Sequence, residues 1–205
     1  MNKPEFKHKE VRSLNVTLGG FTTREANGKT FVRGYAAVFN SMSEDLGGYK
    51  EIIDPAFFNE VLQDDVRCLF NHDDDHVLGR STSGTLTYGV DAKGLFFEYE
   101  DPGTTVSRDL LISLSRGDVS QCSFQFDVFD SSEGGYKFER IGEEWICTLL
   151  RCKKLYDVGP VTFPAYTETT IGKRGLEEAK KALQPPTEFD YSRSLERIKL
   201  SQTQY

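Results

Sequence analysis

Apolar and polar residues alternate with a period of two through much of the chain, and this pattern predicts many short β-strands. A first strand is expected over 11–18, ended by Gly19-Gly20. Asn27-Gly28 marks a turn, and a long strand follows over 30–39 with Gly34 at a bulge or close approach. Short strands are expected over 49–53, 66–70, 77–81, 84–90 and 94–100. Segments 136–141 and 145–150 read as a hairpin, and 154–163 as a last strand broken near Gly159-Pro160. The period changes at two places. Asp54-Pro55 has the form of a helix start and predicts a helix to about Leu62, with Phe57, Phe58 and Val61 inside. Over 104–115, Val106, Leu110, Leu111 and Leu114 recur at helical spacing, and Gly117 stops the helix.

That helix leads into the most informative strand. From Val119 onward, Cys122, Phe124, Phe126 and Val128 share one parity and are apolar, while Gln121, Ser123, Gln125 and Asp127 share the other and are polar. Ser123 therefore sits on the hydrophilic face of a strand whose other face is anchored in a core. Such a strand is a good mount for a nucleophile, because the packed face fixes the polar one. Most serines on such a face are merely solvated. A role in chemistry requires a base and a group that orients the base.

Many short strands with two or three helices predict an α+β, β-rich fold, a closed or nearly closed β-barrel with helices outside it. The 205 residues suit one domain plus a tail, with 38% hydrophobic and 28% charged residues in an ordinary soluble balance. The domain is expected to span 1–175. Residues 176–205 are expected to be a polar, mobile tail, with a charged helix over 176–183 and a Pro185-Pro186 break. A net charge of −7 does not suggest nucleic acid as partner. No apolar run approaches the roughly 20 residues of a membrane span. The basic N-terminus has no apolar core for a signal peptide, so a cytosolic protein is expected.

Of the three histidines, His8 lies in the basic N-terminal segment, which leaves His72, directly after a strand, and His76 in the loop beyond it. The plainer account of His72 is a loop histidine among acidic neighbours. Asp157 is a candidate orienter, because its parity partners Leu155, Val161 and Phe163 are apolar and a charge among them needs a partner. Periodicity alone does not join these residues: His72 and Asp157 share parity with apolar positions, Ser123 with polar ones. Strand ends and bulges can re-aim side chains. The run His72-Asp73-Asp74-Asp75-His76 has ligand types that suit a divalent metal, but it lacks the helix that would turn both imidazoles one way. Cys68, Cys122, Cys147 and Cys152 contain no Cys-x-x-Cys pair and are expected to be reduced packing residues.

Six short motifs occur in a fixed order: Gly34-Tyr35-Ala36-Ala37-Val38-Phe39, Ile53-Asp54-Pro55-Ala56-Phe57, Phe70-Asn71-His72-Asp73, Leu78-Gly79-Arg80, the run from Arg116 to Phe126, and the run from Leu155 to Tyr166. In this order they resemble the prohead (capsid maturation) serine protease family of tailed bacteriophages, which is related to the herpesvirus assemblins. The resemblance covers roughly Val32 to Thr170. It implies a β-barrel surrounded by helices, with Ser123 as nucleophile, His72 as base and Asp157 as third member. The family more often has Gly at Gln125, Glu at Asp157 and Ser at Gly159. Asp in place of Glu keeps the charge and shortens the reach, and Gln125 would narrow the cleft.

The resemblance further implies a serine endopeptidase without cofactor or metal. It would act in the host cytoplasm inside the procapsid, on scaffolding protein or the scaffold-like domain of the major capsid protein, and on itself. A homo-oligomer is allowed; nucleic acid and membrane are not expected partners. Two alternatives remain at this point: a capsid-assembly or scaffold protein that keeps the barrel without activity, and a metal-dependent hydrolase at His72–His76.

Overall fold

The structure, a computed structural model, describes residues 10–14, 21–163 and 170–183. Among them the chain forms β1 (Glu10–Leu14), β2 (Thr22–Ala26), β3 (Lys29–Val38), β4 (Lys50–Ile53), β5 (Arg67–Leu69), β6 (Val77–Arg80), β7 (Leu86–Val90) and β8 (Gly94–Glu100). Helix α1 (Thr105–Arg116) follows, then β9 (Gln121–Val128), β10 (Tyr136–Ile141), β11 (Glu144–Leu149), β12 (Cys152–Val161) and α2 (Thr170–Leu183). The strands pair in three sheets, in the orders β1-β9-β12-β5-β6, β10-β11-β4 and β2-β3-β8-β7. The expected β-rich α+β class is what the chain adopts. Among the described residues no sheet closes on itself.

The core follows the alternation of β9. Cys122, Phe124, Phe126 and Val128 are all buried, and the two phenylalanines stack with ring centroids 4.9 Å apart. Phe58 packs edge-on to Phe124 at 5.4 Å and Phe57 to Phe126 at 5.5 Å. Four aromatic rings thus clamp the strand of Ser123 to the segment after β4 through large, directional contacts. Gly34 is set by close approach, since a Cβ there would lie 2.8 Å from Phe97 Cζ.

The segment after β4 differs from expectation. It is a run of tight turns, in which the N–H groups of Phe57, Asn59, Val61 and Asp64 each donate to the carbonyl three residues back. The N-cap contact survives, with the Asp54 carboxylate accepting from Ala56 N–H at 2.8 Å. Phe57, Phe58 and Val61 are buried as expected. Burying the adjacent Phe57 and Phe58 together overrides the helix, whose period would turn neighbouring side chains roughly 100° apart. Strand β2 was not expected, because four of its five residues are exposed and it has no apolar alternation to betray it.

Helix α1 has its expected signals: Thr104 Oγ1 accepts from Ser107 N–H at 3.2 Å, and Gly117 ends it at φ 80°. The boundary expected at residue 175 falls inside α2. Leu176 is 4% exposed and belongs to the main core cluster, and Gly175 lies against Tyr136 and Phe138 of β10. The last part of the expected first strand (15–18), the segment 164–169, His8 and the tail from 184 onward lie outside the described residues.

The aromatic clamp predicts an asymmetric response to truncation. Phe58→Ala removes a fully buried ring and is expected to cost about 3–5 kcal/mol. Ile112→Ala, at a residue 58% exposed on α1, should stay within about 0.5 kcal/mol of wild type. Urea unfolding followed by circular dichroism checks both.

Candidate active site

A bulge in β12 resolves the parity conflict of the sequence. Leu155 pairs with Phe126 of β9, but Asp157 pairs with Gln125, so Tyr156 is the extra residue between them. Residues directly opposite across a ladder point to the same face. Leu155 therefore joins the Phe126 face and Asp157 the face of Gln125 and Ser123, although the two are an even number apart in sequence. The carboxylate of Asp64 accepts from the Leu155 N–H at 2.9 Å and from Lys154 Nζ at 2.8 Å, which satisfies the backbone at the start of the bulge.

Gly159 pairs opposite Ser123, two residues beyond Asp157. A Cβ on Gly159 would lie 2.0 Å from the Leu69 carbonyl oxygen. This contact is the physical reason for glycine at 159. The absent side chain lets the end of β5 pass close over the sheet. From there the chain turns through Asn71 and His72, both left-handed at φ 58° and 56°. Non-glycine residues adopt this region at a cost of about 1–3 kcal/mol, so the surroundings must enforce it. Asn71 supplies that enforcement. Its N–H donates to the Pro160 carbonyl at 3.0 Å, its Oδ1 accepts from Thr162 N–H at 2.7 Å, and its Nδ2 donates to Thr162 Oγ1 at 3.2 Å.

The latched loop sets the imidazole of His72 between the other two candidates. Nδ1 lies 2.5 Å from Asp157 Oδ1, and Nε2 lies 2.7 Å from Ser123 Oγ. Asp157 is 3% exposed and Ser123 fully buried. The three residues singled out in the sequence thus form one continuous hydrogen-bonded chain. Such a chain can carry a proton from the hydroxyl to the imidazole while the carboxylate holds the ring and balances its charge.

The burial of Ser123 departs from the open polar face expected for it. Strand β1 lies along β9 with Ser13 opposite Ser123, and Ser123 Oγ also lies 2.7 Å from the Arg12 carbonyl oxygen, so its single proton has two acceptors within reach, that carbonyl and His72 Nε2. Arg12 is itself buried. Its Nε and Nη2 meet the Glu51 carboxylate at 2.5 and 2.7 Å, and its Nη1 meets Glu10 at 3.0 Å. Burial opposes the guanidinium charge, but Glu51 foremost, together with Tyr49 and Glu10, outweighs it, and the Arg12 pKa is raised overall. Neither Arg12 nor Glu51 was singled out in the sequence. A lone basic and a lone acidic residue 39 positions apart carry no periodic signal.

The other candidates are not brought to this chain of contacts. His76 is more than a third exposed and pairs with Asp73 at 3.2 Å. Ser120 is exposed and precedes β9. Among the described residues no group of three or more His, Cys, Asp or Glu side chains is arranged to hold a metal ion. All four cysteines are buried free thiols, and burial raises the pKa of each. No described helix is long and apolar enough to cross a membrane.

A family model described as caudovirus prohead serine protease matches residues 20–182. No curated protein and no solved structure matches the chain.

Two outcomes follow from this geometry. Gly159→Ala drives a methyl group into the Leu69 carbonyl and should destabilise the fold by about 3 kcal/mol or more, read as a lower urea midpoint. The raised thiol pKa values leave the cysteines protonated at pH 8, so iodoacetamide should label none of them until the chain is unfolded. Rapid labelling of any cysteine in the native protein would contradict their burial.

Proposed function

The chain belongs to the caudovirus prohead serine protease family, and from that membership we propose that it is a serine endopeptidase of head maturation with Ser123 as nucleophile, His72 as general base and Asp157 as the residue that orients the base. The observation that carries this reading is the pair of contacts on one imidazole: 2.5 Å from Nδ1 to Asp157 and 2.7 Å from Nε2 to Ser123. In this mechanism Ser123 Oγ attacks the substrate carbonyl carbon while Nε2 takes the hydroxyl proton. The proton then passes to the departing amine, leaving an acyl-enzyme. Water repeats the sequence and frees the acid. Asp157 is buried on a strand, so it holds the ring without rotating away itself.

The proposed substrates are scaffolding protein or the scaffold-like domain of the major capsid protein, inside the procapsid in the host cytoplasm, and the protease itself. We read the sheets as the walls of a nearly closed barrel, because β3 packs across against β1, β9 and β12, and β6 against β7 and β8. The protease domain then ends at α2, since Leu176 is part of the core. The polar segment from 184 onward is the expected place for self-cleavage or for incorporation into the procapsid.

One observation favours a second reading, that of a capsid-assembly protein which keeps the frame without the activity: Ser123 is fully buried, with β1 paired along its strand. A fluorophosphonate probe separates the two, because labelling of Ser123 requires an activated, reachable hydroxyl.

With the co-expressed capsid or scaffold protein as substrate, Ser123→Ala and His72→Ala are each expected to reduce cleavage by about 10⁵-fold or more, since a nucleophile and its base act as a unit. Asp157→Asn should lose less, roughly 10⁴-fold. His76→Ala should cleave at the wild-type rate. Wild-type cleavage by Ser123→Ala, with circular dichroism unchanged, would refute the assignment.

A further inference from the structure

Strand β1 lies along the edge of β9 beside Ser123. Strand β9 has two edges, one paired with β12 and the other with β1. The family match begins at residue 20, so β1 is outside the matched frame, and without it the edge beside Ser123 would be open. An open edge is where an extended peptide adds, through main-chain hydrogen bonds with side-chain pockets for specificity. The peptide carbonyl that meets Ser123 Oγ is that of Arg12, at 2.7 Å. The side chain of the same residue is buried between Phe126 of β9 and Glu51 of β4. There Glu51, 4% exposed, grips the guanidinium through both carboxylate oxygens, and the Phe126 ring lies 5.5 Å from its centre. Glu10 belongs to β1 itself, so the carboxylate supplied by the rest of the protein is Glu51.

A buried carboxylate without a cation is strongly unfavourable. Once β1 withdraws, water reaches Glu51, and any strand that takes the place of β1 and covers this carboxylate again must bring a cation to it. From this we infer that Glu51 selects substrates with arginine or lysine on the acyl side of the cleaved bond, and that β1 is the chain's own strand occupying that edge. The inference rests on the peptidase reading above. A strand held in cis competes with peptides in solution at a high effective concentration, so β1 also slows access to Ser123.

The test uses the full chain and peptides containing the sequence Glu-Val-Arg-Ser-Leu, with Arg replaced by Lys, Gln or Glu in parallel. Wild type is expected to cleave the Arg and Lys peptides after the basic residue, with kcat/KM roughly 30- to 100-fold above the Gln peptide, the range of a lost charged hydrogen-bonded pair. Glu51→Gln should collapse that ratio towards one by raising KM for the basic peptides, while fluorophosphonate labelling of Ser123 persists. Arg12→Gln should label faster than wild type, because β1 is held less firmly. Equal cleavage of all peptides, survival of the preference in Glu51→Gln, or an unchanged labelling rate in Arg12→Gln would overturn the inference and leave the peptidase reading standing. If Glu51→Gln does not fold, the wild-type peptide ratio decides alone. Absence of both cleavage and Ser123 labelling would instead strike the peptidase reading, and this inference with it.

Discussion

The Leu69 carbonyl passes so close to Gly159 that no side chain could stand between them. That contact sets where the β5 exit loop lies on the sheet, and the loop carries His72. A bulge at Tyr156 brings Asp157 to the same face, and direct pairing with Gly159 fixes Ser123 beside it. Three side chains from 72, 123 and 157 therefore converge because two backbones are allowed to touch. The imidazole itself sits on a left-handed residue, and the hydrogen bonds of Asn71 to Pro160 and Thr162 keep it there. Strain of this kind persists only when neighbouring structure over-determines it.

The position of Ser123 is secured from behind. Phe124 and Phe126 hold β9 through stacking on each other and edge contacts with Phe57 and Phe58. Core packing is dense and resists small displacements, so a side chain on such a strand keeps its place. The loop of His72 can afford its irregular backbone because the strands on which it rests are regular and packed.

A second device lies on the other side of the sheet from Ser123, on the face of Phe124 and Phe126. Arg12, Glu10 and Glu51 form a buried ion network, a costly arrangement in which removal of one partner leaves a charge stranded. Hydrophobic residues of similar size would often hold two strands together as well or better. The pairing is better understood as recognition, because it fixes which residue can lie with its carbonyl against Ser123. On the proposed reading, recognition and reactivity meet at one residue of β1.

Much of this protein was legible in its sequence. The alternation of apolar residues over 121–128 determined that Cys122, Phe124, Phe126 and Val128 face the core, and the spacing of Val106, Leu110, Leu111 and Leu114 with Gly117 determined α1. Ordered motifs singled out Ser123, His72 and Asp157. Periodicity failed where one residue was inserted: counting by twos from Leu155 put Asp157 on the wrong face, and only the register with β9 revealed the bulge. It failed over 54–64 as well, where burying adjacent aromatic rings outweighed a good helix cap. The pairing of β1 along the strand of Ser123 and the pairing of Arg12 with Glu51 were decided by tertiary structure alone. Sequence patterns report which face of an element is buried, a local property. Which distant strand lies alongside, and which single charge meets its partner 39 residues away, depends on how the sheets assemble.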